Sequence, residues 1–225
     1  MKISPSLHLI DEAGGCNVYL VEGDDLILID SGTPGNFEPV EKYVESIGRE
    51  IEDLTHIFLT HSHVDHVSSA SKIADRSGAK ILAHELDSPY IRGEMGRNIL
   101  MRAGDFLAGK PKFDVDIAVD GGEVIEGLEV IHTPGHTEGS VSFFYEGEGA
   151  LFVGDAIRSD GGFPFGSDGN LSLSPKFFSE SMGEMKASFE KIREIGPDLL
   201  LPGHGPPISE DVGRRLDELN RKIDS

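Results

Sequence analysis

Four groups able to ligate a metal, His61, His63, Asp65 and His66, crowd into six residues directly behind the apolar run Ile57-Phe58-Leu59. In an extended or turning segment His61 and His63 project to one side. Asp65 and His66, at the entrance of the helical pattern that begins near Val67, point in two further directions, so one short segment can serve two ions. A histidine at a helix entrance also feels the positive end of the helix dipole, which disfavours imidazolium and leaves a nitrogen lone pair for a metal. A lone histidine is more often a core or surface residue, and His8, His56, His84 and His132 are read that way, with His84 placed where it could line a pocket wall. Three histidines and an aspartate in six residues reverse that expectation. A closed structural zinc site is usually rich in cysteine. This chain has only Cys16, which has no intrachain disulfide partner and sits in an apolar-leaning run that suits a small buried residue.

Short apolar runs predict strands at 17–22, 26–30, 57–60, 80–84, 128–133, 141–146, 150–155 and 198–202. Helical patterns fall at 37–48, 67–77, 176–195 and 209–223, and the stripe Phe177, Phe178, Met182, Met185, Phe189, Ile192 in the third reads as core. Strands in two series with intervening helices predict two sheets with helices packed on their faces. Thr133-Pro134-Gly135-His136 and Leu201-Pro202-Gly203-His204 repeat one device, a Pro-Gly turn after a strand that presents a histidine. At 225 residues one domain is expected, spanning 1–225. Residues 86–112 interrupt the alternation as a lid-like insertion, and 158–175 reads as a long loop.

The formal charge of −20 sets the chain against phosphate backbones, so nucleic acid is excluded as a partner. No stretch approaches the roughly eighteen consecutive apolar residues of a membrane span, and the N-terminal residues lack the unbroken apolar region of a secretory signal. A soluble, cytoplasmic protein without membrane partners is expected.

The run Thr60-His61-Ser62-His63-Val64-Asp65-His66 resembles the HxHxDH signature of the metallo-β-lactamase superfamily. The other elements of that pattern follow in order: LIDSG at 28–32, HTPGHTEGS at 132–140, LFVGDA at 151–156 and LLPGHG at 200–205. Together they cover nearly the whole chain. The resemblance implies an α+β fold, a four-layer αββα sandwich of two mixed β-sheets flanked by helices. It implies two divalent metal ions, zinc in the first instance, although histidine and carboxylate donors suit iron and manganese as well. His61, His63 and His136 would hold the first ion, Asp65, His66 and His204 the second, with Asp155 bridging and Asp30 orienting ligands from behind. A hydroxide shared by two ions roughly 3.5–4 Å apart would be the nucleophile, its pKa lowered toward about 7, with Asp65 orienting it and accepting a proton.

Asp155 as bridge resembles the glyoxalase II, lactonase and sulfur dioxygenase branches, so the expected reaction is hydrolysis of a small thioester, lactone or ester rather than of an antibiotic. Only about 20 residues follow LPGHG, short of the C-terminal helical region that glyoxalase II enzymes use for glutathione. A persulfide dioxygenase with one iron, a phosphodiesterase and a non-catalytic metal protein are the competing readings. One departure is Val67-Ser68-Ser69, where many relatives carry a small residue and a glycine pair. The insertion is net basic, with Arg92, Arg97, Arg102, Lys110 and Lys112. Arg97 and Arg158 are candidates to clamp an anionic small-molecule substrate, against the alternative that Arg158 pairs with Asp160. The insertion's apolar residues Ile91, Ile99, Leu100 and Phe106 would serve a homodimer as well as a substrate.

Overall fold

Burial on both faces and parallel register show why the apolar runs become strands. In a computed structural model that describes residues 1–96, 112–161 and 169–223, the chain divides into two compact units, Met1–Val119 and Asp120–Ser225. The first holds a six-stranded sheet ordered β1 (Leu7–Leu9), β2 (Tyr19–Glu22), β3 (Leu26–Ile29), β4 (Leu54–Phe58), β5 (Lys80–His84), β6 (Ile117–Val119). The β1-β2 and β2-β3 pairs are antiparallel, and the remaining three are parallel, so the sheet is mixed. Every residue of β3 is buried, as expected of a central strand covered on both faces. Helices α1 (Phe37–Ser46), α2 (Val64–Val67), α3 (Ala70–Ser77) and α4 (Ser88–Ile91) connect these strands. Val40, Val44, Val67, Ala70 and Ile73 from them join the same apolar core as Leu28, Ile57 and Ile81.

The second unit carries a five-stranded sheet in the order β13 (Leu199–Pro202), β10 (Ala150–Gly154), β9 (Val141–Tyr145), β8 (Leu128–His132), β7 (Val124–Ile125). Here β10 and β13 are parallel and the rest antiparallel. A two-stranded ribbon, β11 (Ile157–Arg158) with β12 (Ser172–Leu173), lies within the stretch predicted as one long loop. Helices α5 (Met182–Ile195) and α6 (Val212–Ile223) add Met185, Phe189, Ile192, Val212, Leu216 and Leu219 to the core of this sheet. Two mixed sheets with flanking helices make the α+β class predicted from the sequence.

Further expectations need correction. Helix α5 starts at Met182, not 176, because Ser181 caps it by accepting from the Glu184 backbone N–H at 3.3 Å. Phe177 therefore sits in a preceding 3-10 turn and is 66 % exposed, outside the core stripe. Ile91, counted among the insertion's exposed apolar residues, is fully buried in the first core. Arg97, Ile99, Leu100, Arg102, Phe106 and Lys110 lie outside the described residues, as does most of the insertion. Among the described residues no helix is long and apolar enough to cross a membrane.

Candidate metal centre

Parallel pairing delivers the donors of the first unit to one sheet edge. Because Ile29 of β3 stands beside Phe58 of β4, the chain leaves both strands at the same level, and Asp30 meets Thr60 immediately beyond. Loops at the carboxyl ends of parallel strands are where such folds collect function. Asp30 adopts φ 59°, a left-handed conformation uncommon for a residue other than glycine. Its carboxylate accepts from the Thr60 backbone N–H at 2.8 Å on Oδ1, and from Thr60 Oγ1 and His66 Nδ1, each at 2.8 Å, on Oδ2.

This small network assigns two tautomers. An ionised carboxylate only accepts, so His66 carries its proton on Nδ1 and presents Nε2. The single Thr60 hydroxyl proton is committed to Asp30. Thr60 Oγ1 must then accept from His61 Nδ1, 3.1 Å away, which leaves His61 Nε2 as the lone-pair nitrogen. That nitrogen stands 3.0 Å from His63 Nδ1. The rings of His61 and His63 are 4.7 Å apart, those of His61 and His66 4.0 Å, and all three are buried. Asp65 is half-buried, its side chain 34 % exposed, with Oδ2 3.9 Å from His66 Nε2.

The loop that bears these groups is held from behind by residues that no motif singled out. Asp87, fully buried after β5, accepts from the Ser62 backbone N–H at 2.6 Å. The serine pair after α2 is structural: Ser68 Oγ donates to Val64 O at 2.5 Å, and Ser69 Oγ donates to Thr33 O at 2.7 Å while accepting from Asn36 N–H at 3.1 Å. The Ser69 hydroxyl thereby ties the helix entrance to the loop that follows Asp30, while Ser68 closes back on its own helix. Cys16 is buried as expected, and its sulfur lies within 4.8 Å of donor atoms of Asp30 and His66. Burial pushes its thiol up to about 12, so it stands there as a neutral thiol, not a thiolate. His8, His56 and His132 have structural partners: Tyr43 and Glu22 for His8, Thr55 for His56, and the Glu138 carbonyl for His132. His84 Nδ1 accepts from Leu86 N–H at 3.1 Å and shapes the turn after β5.

In the second unit β8, β10 and β13 run in one direction, and their carboxyl ends bear His136, Asp155 and His204. These three converge. Asp155, 5 % exposed, directs Oδ2 to His136 Nε2 at 3.5 Å and Oδ1 to His204 Nε2 at 3.5 Å. A glycine beside each of the two histidines is required by close approach of the backbone. Gly135 has φ 128°, and a Cβ there would collide with the backbone N of Met185 at the start of α5. Gly205, following His204, has φ 87°, and a Cβ would collide with the backbone N of Asp160. The His204 carbonyl in turn accepts from Ser159 N–H at 3.0 Å. Gly205→Ala is expected to cost about 2–4 kcal/mol of stability, read from the midpoint of urea unfolding, since both the backbone angle and the backbone contact must relax.

Arg158 is engaged within its own unit. Its guanidinium donates to Asp160, the pairing that the sequence offered as the alternative, and also to Asp155. Arg92 is likewise paired, with Glu94 at 3.0 Å. The donors fit a metal centre by their chemistry: imidazole nitrogens with assigned lone pairs and aspartates, no thiolate, and a carboxylate whose two oxygens face different imidazoles.

A family profile described as the metallo-beta-lactamase superfamily matches residues 11–204. The protein YobT of Bacillus subtilis is 32 % identical over 84 % of this chain and 82 % of its own length. A probable metallo-hydrolase of Methanocaldococcus jannaschii is 30 % identical over 89 % of this chain and 90 % of its own. Among solved structures, TTHA1623 in a di-iron-bound form is 26 % identical, covers 89 % of this chain and 93 % of its own, and superposes with a TM-score of 0.68.

Proposed function

Because the chain belongs to the metallo-beta-lactamase superfamily, we propose that it is a metal-dependent hydrolase of a small thioester, lactone or ester. His61, His63 and His136 would hold one divalent ion, and Asp65, His66 and His204 a second, with Asp155 serving both; zinc is the metal proposed. The observation that carries the reading is Asp155, each of whose oxygens faces a separate imidazole at 3.5 Å, as a carboxylate shared by two cations requires. The di-iron form of TTHA1623 supports a two-metal centre and keeps iron as the second candidate metal.

When bound, the ions would acidify a shared water toward a pKa of about 7 and polarise the scissile carbonyl. The chain's own contribution is orientation and proton handling. Asp30 and Thr60 lock His61 and His66 in the tautomers that offer Nε2, so the donors need no rearrangement on binding. Asp65 is the most solvent-accessible of the proposed ligands and would hold or release a proton at its carboxylate during turnover. The preference for acyl substrates over phosphodiesters rests on charge, since a net −20 opposes polyanions.

Protein purified without chelator is expected to contain about two divalent ions per chain and to hydrolyse members of a panel of thioesters, lactones and esters. Exhaustive chelation should abolish turnover, and zinc should restore it. Turnover that survives removal of the metals would overturn the reading, and oxygen uptake on a persulfide without hydrolysis would replace it with the dioxygenase.

A further inference from the structure

Arg158 lies three residues beyond Asp155 with its side chain 12 % exposed, and its guanidinium spans two carboxylates. Nη1 donates to Asp155 Oδ2 at 3.2 Å, while Nε and Nη2 donate to Asp160 Oδ1 and Oδ2 at 3.3 and 2.5 Å. The two-point grip by Asp160 fixes the plane of the fork, which a lysine could not reproduce. Backbone pairing holds both ends of the device. Arg158 is in register with Ser172 across the β11–β12 ribbon, and Ser159 N–H donates to the His204 carbonyl.

The contact is one-sided with respect to Asp155. Arg158 meets Oδ2, the oxygen that faces His136, whereas Oδ1 faces His204. We infer that the Asp160–Arg158 pair is a positioning device that makes Asp155 an unequal bridge, so that the cation on the His136 side is held more weakly than the one on the His204 side. The inference rests on the two-ion reading above. A fixed positive charge at hydrogen-bond distance from Oδ2 draws electron density from that oxygen and opposes a cation approaching it, in surroundings where charges are poorly screened. A poorer carboxylate donor leaves the ion it serves more electron-demanding. The device thus exchanges affinity on one side for a more strongly polarising ion.

Stepwise withdrawal of zinc from the loaded protein by a graded chromophoric chelator tests this without measuring turnover. The wild-type protein should surrender its ions in two resolved steps. In Arg158→Met the more easily lost ion should become about tenfold harder to remove, so that the steps merge. Arg158→Lys should restore much of the separation because it keeps the charge, and Asp160→Asn should fall between, with the charge present but its direction loosened. Loss of a merely structural contact would loosen both ions together, and that result overturns the inference, as does an Arg158→Met profile identical to wild type. Wild-type protein that carries no more than one zinc overturns the two-ion reading itself.

Discussion

Asp155→Asn is expected to reduce the metal content of the purified protein from two ions per chain to one and to lower hydrolysis by roughly 10³-fold. The substitution keeps the shape of the side chain and changes one atom's chemistry. Asp155 serves His136 and His204 with different oxygens, so an amide must present its NH₂ to one of them. Arg158 decides which. Its Nη1 donates to Oδ2 and needs an acceptor there, so the amide oxygen takes that place and the NH₂ faces His204. The ion on the His204 side loses its bridging donor and meets N–H groups in its place. Elemental analysis with steady-state rates on the preferred substrate checks both halves, and an Asp155→Asn protein that retains two ions would remove Asp155 from the bridge.

Asp30 gives the second large effect, and here two substitutions separate structure from metal binding. Asp30→Ala leaves the Thr60 N–H, the Thr60 hydroxyl and His66 Nδ1 without their acceptor in a buried place, and puts alanine at φ 59°. A loss of about 3–5 kcal/mol is expected from these causes together, measured by urea unfolding of the metal-free protein. Asp30→Asn should fold nearly as well, since asparagine tolerates the left-handed region and its carbonyl can still accept from Thr60 N–H. Its NH₂ then stands where Oδ2 was, facing His66 Nδ1 and Thr60 Oγ1. Both would have to become acceptors. His66 shifts its proton to Nε2, and the Thr60 hydroxyl turns to donate to His61 Nδ1, moving that proton to Nε2 as well. Each ligand nitrogen is then blocked by a proton, and zinc affinity should fall by about 10–100-fold while stability is kept. Equal zinc affinity in the Asp30→Asn and wild-type proteins would show that Asp30 only supports the loop.

Whereas the short edge strands β1, β6 and β7 were not predicted, the longer strands of both sheets were legible in the sequence because buried parallel strands such as Leu26–Ile29 and Leu199–Pro202 must be apolar on both faces. Their ends were less so. Strand β4 begins at Leu54, earlier than its apolar run suggests, because its partner β3 supplies the hydrogen bonds. Phe177 fitted a helical stripe but lost its place when Ser181 took the cap, a contest between periodicity and capping that periodicity cannot judge. Asp87 carries no motif. Its buried carboxylate accepts from Ser62 N–H, a bond that joins residues 25 positions apart.

Donor chemistry was local information: four ligand groups within six residues, and two Pro-Gly turns each ending on histidine, are written in the order of side chains. What folding alone decided is which atom each donor offers and what stands behind it. The lone pairs of His61 and His66 depend on a proton chain through Thr60 to Asp30, and Arg158 pairs with two carboxylates of its own unit. Tautomers and ion pairs are set by distances of about 3 Å between groups far apart in sequence, and residue spacing along a chain does not encode them.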